Sequence, residues 1–276
     1  MLTETIIEGK TRPPAGAAAD WTIPQHWERF TPAEHDVWDT LFARQSELLQ
    51  GRAVSDFFKG LDVLHLSRPG IPELDELNEK LFARTGWTIV SVPGLVPDDI
   101  FFDHLSKRRF PAGNFIRAAD SLDYIEQPDV FHDVFGHVPL LAQPEVADFM
   151  QAMGAEGLSA LRAGALHRLA RLYWYSVEFG LAKEDGETRI YGAGLLSSFG
   201  ESHFSLESDR PKRRAFNIPE VLRTRYRSDA FQRGYFVIES FDAMLKLLTG
   251  ADLASLYDEL EAAGDLDICR AGDGPA

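Results

Sequence analysis

Two histidines five positions apart, His132 and His137 in the run His132-Asp133-Val134-Phe135-Gly136-His137, and one glutamate further along, Glu178 in Tyr173-Trp174-Tyr175-Ser176-Val177-Glu178-Phe179, are the residues whose types and spacing could do chemistry. Two imidazoles and a carboxylate hold a non-haem Fe(II) by one face and leave the opposite face open for oxygen and a cosubstrate. The same donors around a metal-bound water would also serve a zinc hydrolase. Against that alternative, Asp133 rather than a glutamate follows His132, so the base of an H-E-x-x-H helix is missing.

A five-residue step turns about 500° on a regular α-helix, which would leave the two imidazoles about 140° apart and unable to share a metal. Gly136 before His137 and Pro139 after it are helix-stop signals, so the expectation is that His137 sits on an unwinding last turn and swings toward His132. Glu178 falls in a helical pattern over 166–182, where its neighbours three and four positions away are Tyr175, Trp174, Leu181 and Ala182. An unpaired carboxylate buried there would cost several kcal/mol, roughly, and a divalent cation would remove that cost. The plain alternative is a solvated Glu178 paired with Arg171.

The elements that must position these groups are mainly helical. Thr31-Pro32-Ala33-Glu34 is a capping box with proline in the first turn, and an apolar stripe through Val37, Leu41, Leu48 and Leu49 continues the helix it opens. Further helices are expected over 72–84, 97–105, 144–161, 166–182, 219–225 and 251–263, and short strands over 87–92, 189–191 and 235–238. No linker composition or repeat interrupts the chain between Trp21 and Gly264. The expectation is one domain over 21–270, mainly α with a few short strands (α+β), flanked by a flexible segment over 1–20 and a flexible tail over 271–276.

Composition bounds the partners. With 276 residues, 45% hydrophobic and 11% aromatic, the chain has material for a large core and an apolar pocket. A net charge of −15 argues against nucleic acid as partner, since phosphate-backbone binding needs a basic surface. The single Cys269 permits no internal disulfide, and neither a signal peptide nor an 18-residue apolar run is present. A cytoplasmic protein with no membrane partner is expected.

Three blocks carry a resemblance: Asp123 through Leu140, Tyr173 through Leu181, and Tyr191-Gly192-Ala193-Gly194-Leu195-Leu196-Ser197-Ser198-Phe199-Gly200-Glu201. In this order the chain resembles the pterin-dependent aromatic amino acid hydroxylases, from about Trp21 to about Leu260. The resemblance implies the catalytic-domain fold of that family, a basket of helices with iron in a central cleft. It implies Fe(II) held by His132, His137 and Glu178, a tetrahydropterin cosubstrate, O2, and hydroxylation of L-phenylalanine to L-tyrosine, with tryptophan or tyrosine hydroxylation as alternatives within the family.

The likeness also assigns roles. A pterin would stack on Phe101 and bond to backbone of the preceding loop, which contains Val96, and Asp133 would lie near it. Arg117 would hold the amino acid carboxylate, Trp174 and Ser197 would line the amino acid pocket, and Tyr173 would sit close to the iron as a catalytic residue. One departure is that Ile125 stands where animal relatives have a substrate-holding threonine. The resemblance covers only a catalytic domain, so a monomer without allosteric regulation is expected.

Overall fold

The computed structural model describes residues 12–123 and 127–267. Residues 1–11 of the expected N-terminal segment, Ile125, Cys269 and the expected tail over 271–276 lie outside the described residues. After a single 3-10 turn, α1 (Pro32–Leu48) starts at the Thr31 capping box, with the Thr31 and Glu34 side chains each taking the other's backbone N–H. Its buried face, which includes Val37, Trp38 and Leu41, is the stripe read from the sequence.

Two helices, α2 (Ser55–Val63) and α3 (Leu74–Thr85), follow. The latter stops at Gly86, whose φ of 73° is the left-handed conformation that only glycine takes without strain. β1 (Thr88–Val92), α4 (Asp98–Ser106) and β2 (Arg109–Gly113) form a unit in which the two strands pair in parallel.

The next stretch departs from the expected pattern. Phe131–His137 is a π-helix, and it runs on without a break into α5 (Val138–Leu141). His137 is therefore not on an unwinding turn. The i→i+5 hydrogen bonding of a π-helix brings residues five apart one above the other, which is how His132 and His137 come to face the same way. Phe131 and Phe135 lie on the other side, stacked at 4.7 Å and packed edge-on against Trp38 and Phe57, so the first two helices clamp this segment in place.

α6 (Pro144–Arg162) and α7 (Leu166–Tyr173) come next. The helix expected over 166–182 ends early, because a second π-helix, Trp174–Glu178, takes over from α7 and Leu181–Glu184 is a strand, β3. Leu181 and Ala182 are thus not helical neighbours of Glu178. Instead Gly192 packs against the Glu178 carbonyl so closely that a Cβ there would lie 2.4 Å from its oxygen.

The remaining elements are β4 (Glu187–Ile190), α8 (Ala193–Leu196), α9 (Phe199–Glu207), β5 (Lys212–Ala215), α10 (Ile218–Arg223), β6 (Gly234–Ile238), α11 (Phe241–Gly250) and α12 (Leu253–Ala263). Four strands form a mixed sheet of order β4-β3-β6-β5, antiparallel only between β3 and β4. One large core runs through the helices, and Trp21, Val92 and Val96 form a small satellite with Ile100 and Phe101 packed against it. Ala17 and Trp21 make turn hydrogen bonds, and Asp20 pairs with Arg109. Among the described residues no helix is long and apolar enough to cross a membrane.

Candidate metal centre

His132, His137 and Glu178 present ligand atoms that all lie within 4.8 Å of one another. His132 Nε2 is 3.3 Å from His137 Nε2 and 3.5 Å from Glu178 Oε2, and His137 Nε2 is 3.3 Å from Glu178 Oε1. The two π-helices supply all three. Arg171, the alternative partner for Glu178, instead makes two hydrogen bonds to Asp265.

The protonation of His132 follows from Ser197. The Ser197 hydroxyl has one proton and donates it to the Ala193 carbonyl at 2.8 Å, so toward His132 Nδ1, also 2.8 Å away, it accepts. Nδ1 therefore carries the proton and Nε2 turns a lone pair toward Glu178. Burial pushes the His132 pKa down to about 4, against the pull of the Glu178 charge, which keeps the ring neutral. Acceptors converging at these distances repel unless a cation sits between them, so the donor set fits a divalent metal.

Tyr173 lies beside Glu178, and its pKa lies well above normal because of burial and then the nearby Glu178 and Asp133 charges. Its ring meets Phe101 edge-on at 5.5 Å. Asp133 accepts from the Gly113 N–H at 2.8 Å, at the end of β2, and burial raises its pKa to about 7 against that hydrogen bond. Val96 has its side chain in the satellite core, and Phe101 packs against that core.

Arg117 is buried and gripped by Asp129: Nε donates to Oδ2 at 2.8 Å and Nη2 to Oδ1 at 2.9 Å, while Nη1 donates to the Leu122 carbonyl. One N–H on each terminal nitrogen has no partner among the described residues. Asp129 also takes the backbone N–H groups of Arg117 and His132, so one carboxylate joins the guanidinium to the metal helix. The Asp129 pKa stays low because Arg117 outweighs burial. Sequence reasoning passed over Asp129, whose only local signal is an acid after Pro128 at a helix start.

Trp174 opens the second π-helix, the one that ends at Glu178. It stacks on Tyr226 at 4.2 Å and donates its indole N–H to Gln232 Oε1 at 3.1 Å. Ser197, expected in the amino acid pocket, has its hydroxyl behind His132, where it orients the ring.

The family model of the biopterin-dependent aromatic amino acid hydroxylases matches residues 21–253. The chain belongs to that family. Among its members, the phenylalanine-4-hydroxylase of Caulobacter vibrioides is 53% identical over 264 residues, covering 96% of this chain and 90% of that one. The phenylalanine-4-hydroxylase of Chromobacterium violaceum is 50% identical over 265 residues, covering 93% and 89%. A crystal structure of the C. violaceum hydroxylase with iron and phenylalanine bound superimposes with a TM-score of 0.87 at 47% identity, covering 94% of this chain and 93% of that one. The hydroxylase fold expected from the sequence, mainly helical with short strands, is the one observed.

Proposed function

We propose that this chain is an Fe(II)- and tetrahydropterin-dependent monooxygenase that converts L-phenylalanine and O2 to L-tyrosine. The observation that carries the reading is the convergence of three metal donors within 4.8 Å in a chain of this family. Bound Fe(II), with the pterin as electron donor, supplies the activation of oxygen.

The chain's own residues do the rest. His132, His137 and Glu178 hold the metal, Ser197 fixes the His132 tautomer, and Tyr173 sits beside Glu178, close to the metal. On this reading Phe101 offers the ring on which the pterin stacks, with Val96 backbone and Asp133 completing its site. The two uncommitted N–H groups of Arg117 take the substrate carboxylate, Trp174 walls the ring pocket, and the Phe131 and Phe135 core behind the ligands excludes water. No covalent nucleophile is needed.

The test is tyrosine formation by the purified, iron-loaded protein with phenylalanine, tetrahydropterin and O2. Tyrosine should appear in proportion to oxygen consumed, and His137→Ala should lose both iron and activity while keeping its helical circular dichroism. Fully iron-loaded protein that makes no tyrosine overturns the reading. The same proposal takes residues 21–270 as one catalytic domain that works as a cytoplasmic monomer. A sedimentation experiment showing a stable tetramer would contradict the monomer.

A further inference from the structure

Glu201 is a carboxyl outside the metal triad and only 6% exposed, in the first turn of α9. Its Oε1 accepts from the Gln232 backbone N–H at 2.7 Å and from the Tyr235 hydroxyl at 2.8 Å, so it ties the segment before β6 to α9. Gln232 is 3% exposed. Its side-chain NH2 donates to the carbonyls of Arg227 and Ala230, at 2.6 and 3.2 Å. Two carbonyl acceptors leave no choice of amide orientation, so Oε1 must point the other way, and there it receives the Trp174 indole N–H.

Trp174 has little freedom left. Its ring lies between Tyr226, stacked at an interplanar angle of 13°, and Phe179, tilted with centroids 4.7 Å apart. The stack sets the tilt of the indole, but a stacked ring can still slide and rotate in its own plane. The hydrogen bond to Gln232 removes that freedom.

We propose that Glu201 and Gln232 are positioning residues that fix Trp174 in its plane and so set the shape of the amino acid pocket. This rests on the reading of Trp174 as a wall of that pocket. Burial raises the Glu201 pKa to about 7 against the two donors, so the fold carries a carboxyl where its charge is disfavoured. The gain is a rigid connection from α9 to the start of the second π-helix.

The experiment compares Glu201→Leu, Glu201→Gln, Gln232→Leu, Trp174→Phe and the double variant Glu201→Leu/Trp174→Phe, all loaded with iron. The readouts are the phenylalanine Kd by calorimetry, the separate KM values for phenylalanine and tetrahydropterin, and iron content. Glu201→Leu and Gln232→Leu should each weaken phenylalanine by about three- to tenfold, the worth of one neutral hydrogen bond, with pterin KM and iron content unchanged. Glu201→Gln keeps an acceptor oxygen and should behave as wild type. In the Trp174→Phe background, Glu201→Leu should add nothing.

If Trp174→Phe weakens phenylalanine but Gln232→Leu does not, the wall stands and the relay falls. If Trp174→Phe leaves phenylalanine binding unchanged, the wall itself is wrong and the relay falls with it. Loss of iron or a shift of both KM values in Gln232→Leu would mark a general structural role and overturn the proposal. Gln232→Leu leaves the backbone contact with Glu201 in place, so it decides the matter even where Glu201→Leu does not fold.

Discussion

Asp129 shows how much one carboxylate does when all of its lone pairs are used. It accepts four hydrogen bonds, two from the Arg117 guanidinium and two from backbone N–H groups, and it is completely buried. Removing it would strand a buried guanidinium, so Asp129→Ala should cost about 3–5 kcal/mol in a urea titration. Arg117→Lys should lower kcat/KM for phenylalanine by about 10- to 100-fold, since a point charge reproduces neither the two-pronged grip on Asp129 nor the planar fork that a carboxylate needs. An unchanged kcat/KM would remove Arg117 from the substrate site. Phe101→Ala should raise the tetrahydropterin KM by about three- to tenfold, the worth of an aromatic stack, and leave the phenylalanine KM alone. The metal ligands were legible because their residue types are rare together and one chemistry unites them. Asp129, Gln232 and Glu201 were not, because each acts through a partner on a different element, and a lone Asp, Gln or Glu in a sequence reads as solvated.

At the scale of elements, the apolar stripes located α1, α3, α4, α6 and α12 to within a few residues, since a 3.6-residue period survives in sequence. That reading missed α2, α8, α9 and α11, and it missed the π-helices, whose wider turn leaves the pattern of Phe131 and Phe135 looking α-helical. The parallel strands β2 and β5 were also missed: each is only four or five residues long, and their partners lie in distant sequence. Close helix packing gives a sharp test. A Cβ on Gly157 of α6 would fall 2.2 Å from the Phe102 ring of α4, with no room to relax into. Gly157→Ala should therefore destabilise the protein by about 1–3 kcal/mol. A variant with an unchanged urea midpoint would mean that the two helices can separate freely.

For the whole molecule, the described chain is pinned near both ends. At the C-terminal side Asp265 bonds to the buried Arg171, and Leu266 bridges to Thr224. At the N-terminal side the Asp20 carbonyl accepts from His104 at 2.8 Å, so His104 Nε2 carries the proton, and Nδ1 is buried without a partner among the described residues. A second proton would have to enter at Nδ1, and burial accordingly lowers the pKa of His104. The unfolded chain takes up that proton below about pH 6.5 and the folded one resists it. This contribution to stability is thus complete above about pH 6.5 and falls away as the pH drops toward the folded pKa. The urea midpoint of the wild type should fall between pH 7.5 and 5.5 by more than that of His104→Gln; equal falls would show that His104 is not the group responsible.

The preassembled triad of His132, His137 and Glu178 also bears on which metal wins in a mixture. Both histidines sit on a helix clamped by Trp38 and Phe57, so the pocket offers the same geometry to every divalent ion and no means of refusing one. Two imidazoles and a carboxylate bind first-row ions in an order that rises from Fe(II) through cobalt and nickel to copper, with zinc also ahead of iron. Iron is among the weaker competitors for its own seat. Occupancy is then governed by how scarce free copper and zinc are kept around the protein, and a trace of either should displace iron and silence the enzyme until a chelator withdraws it.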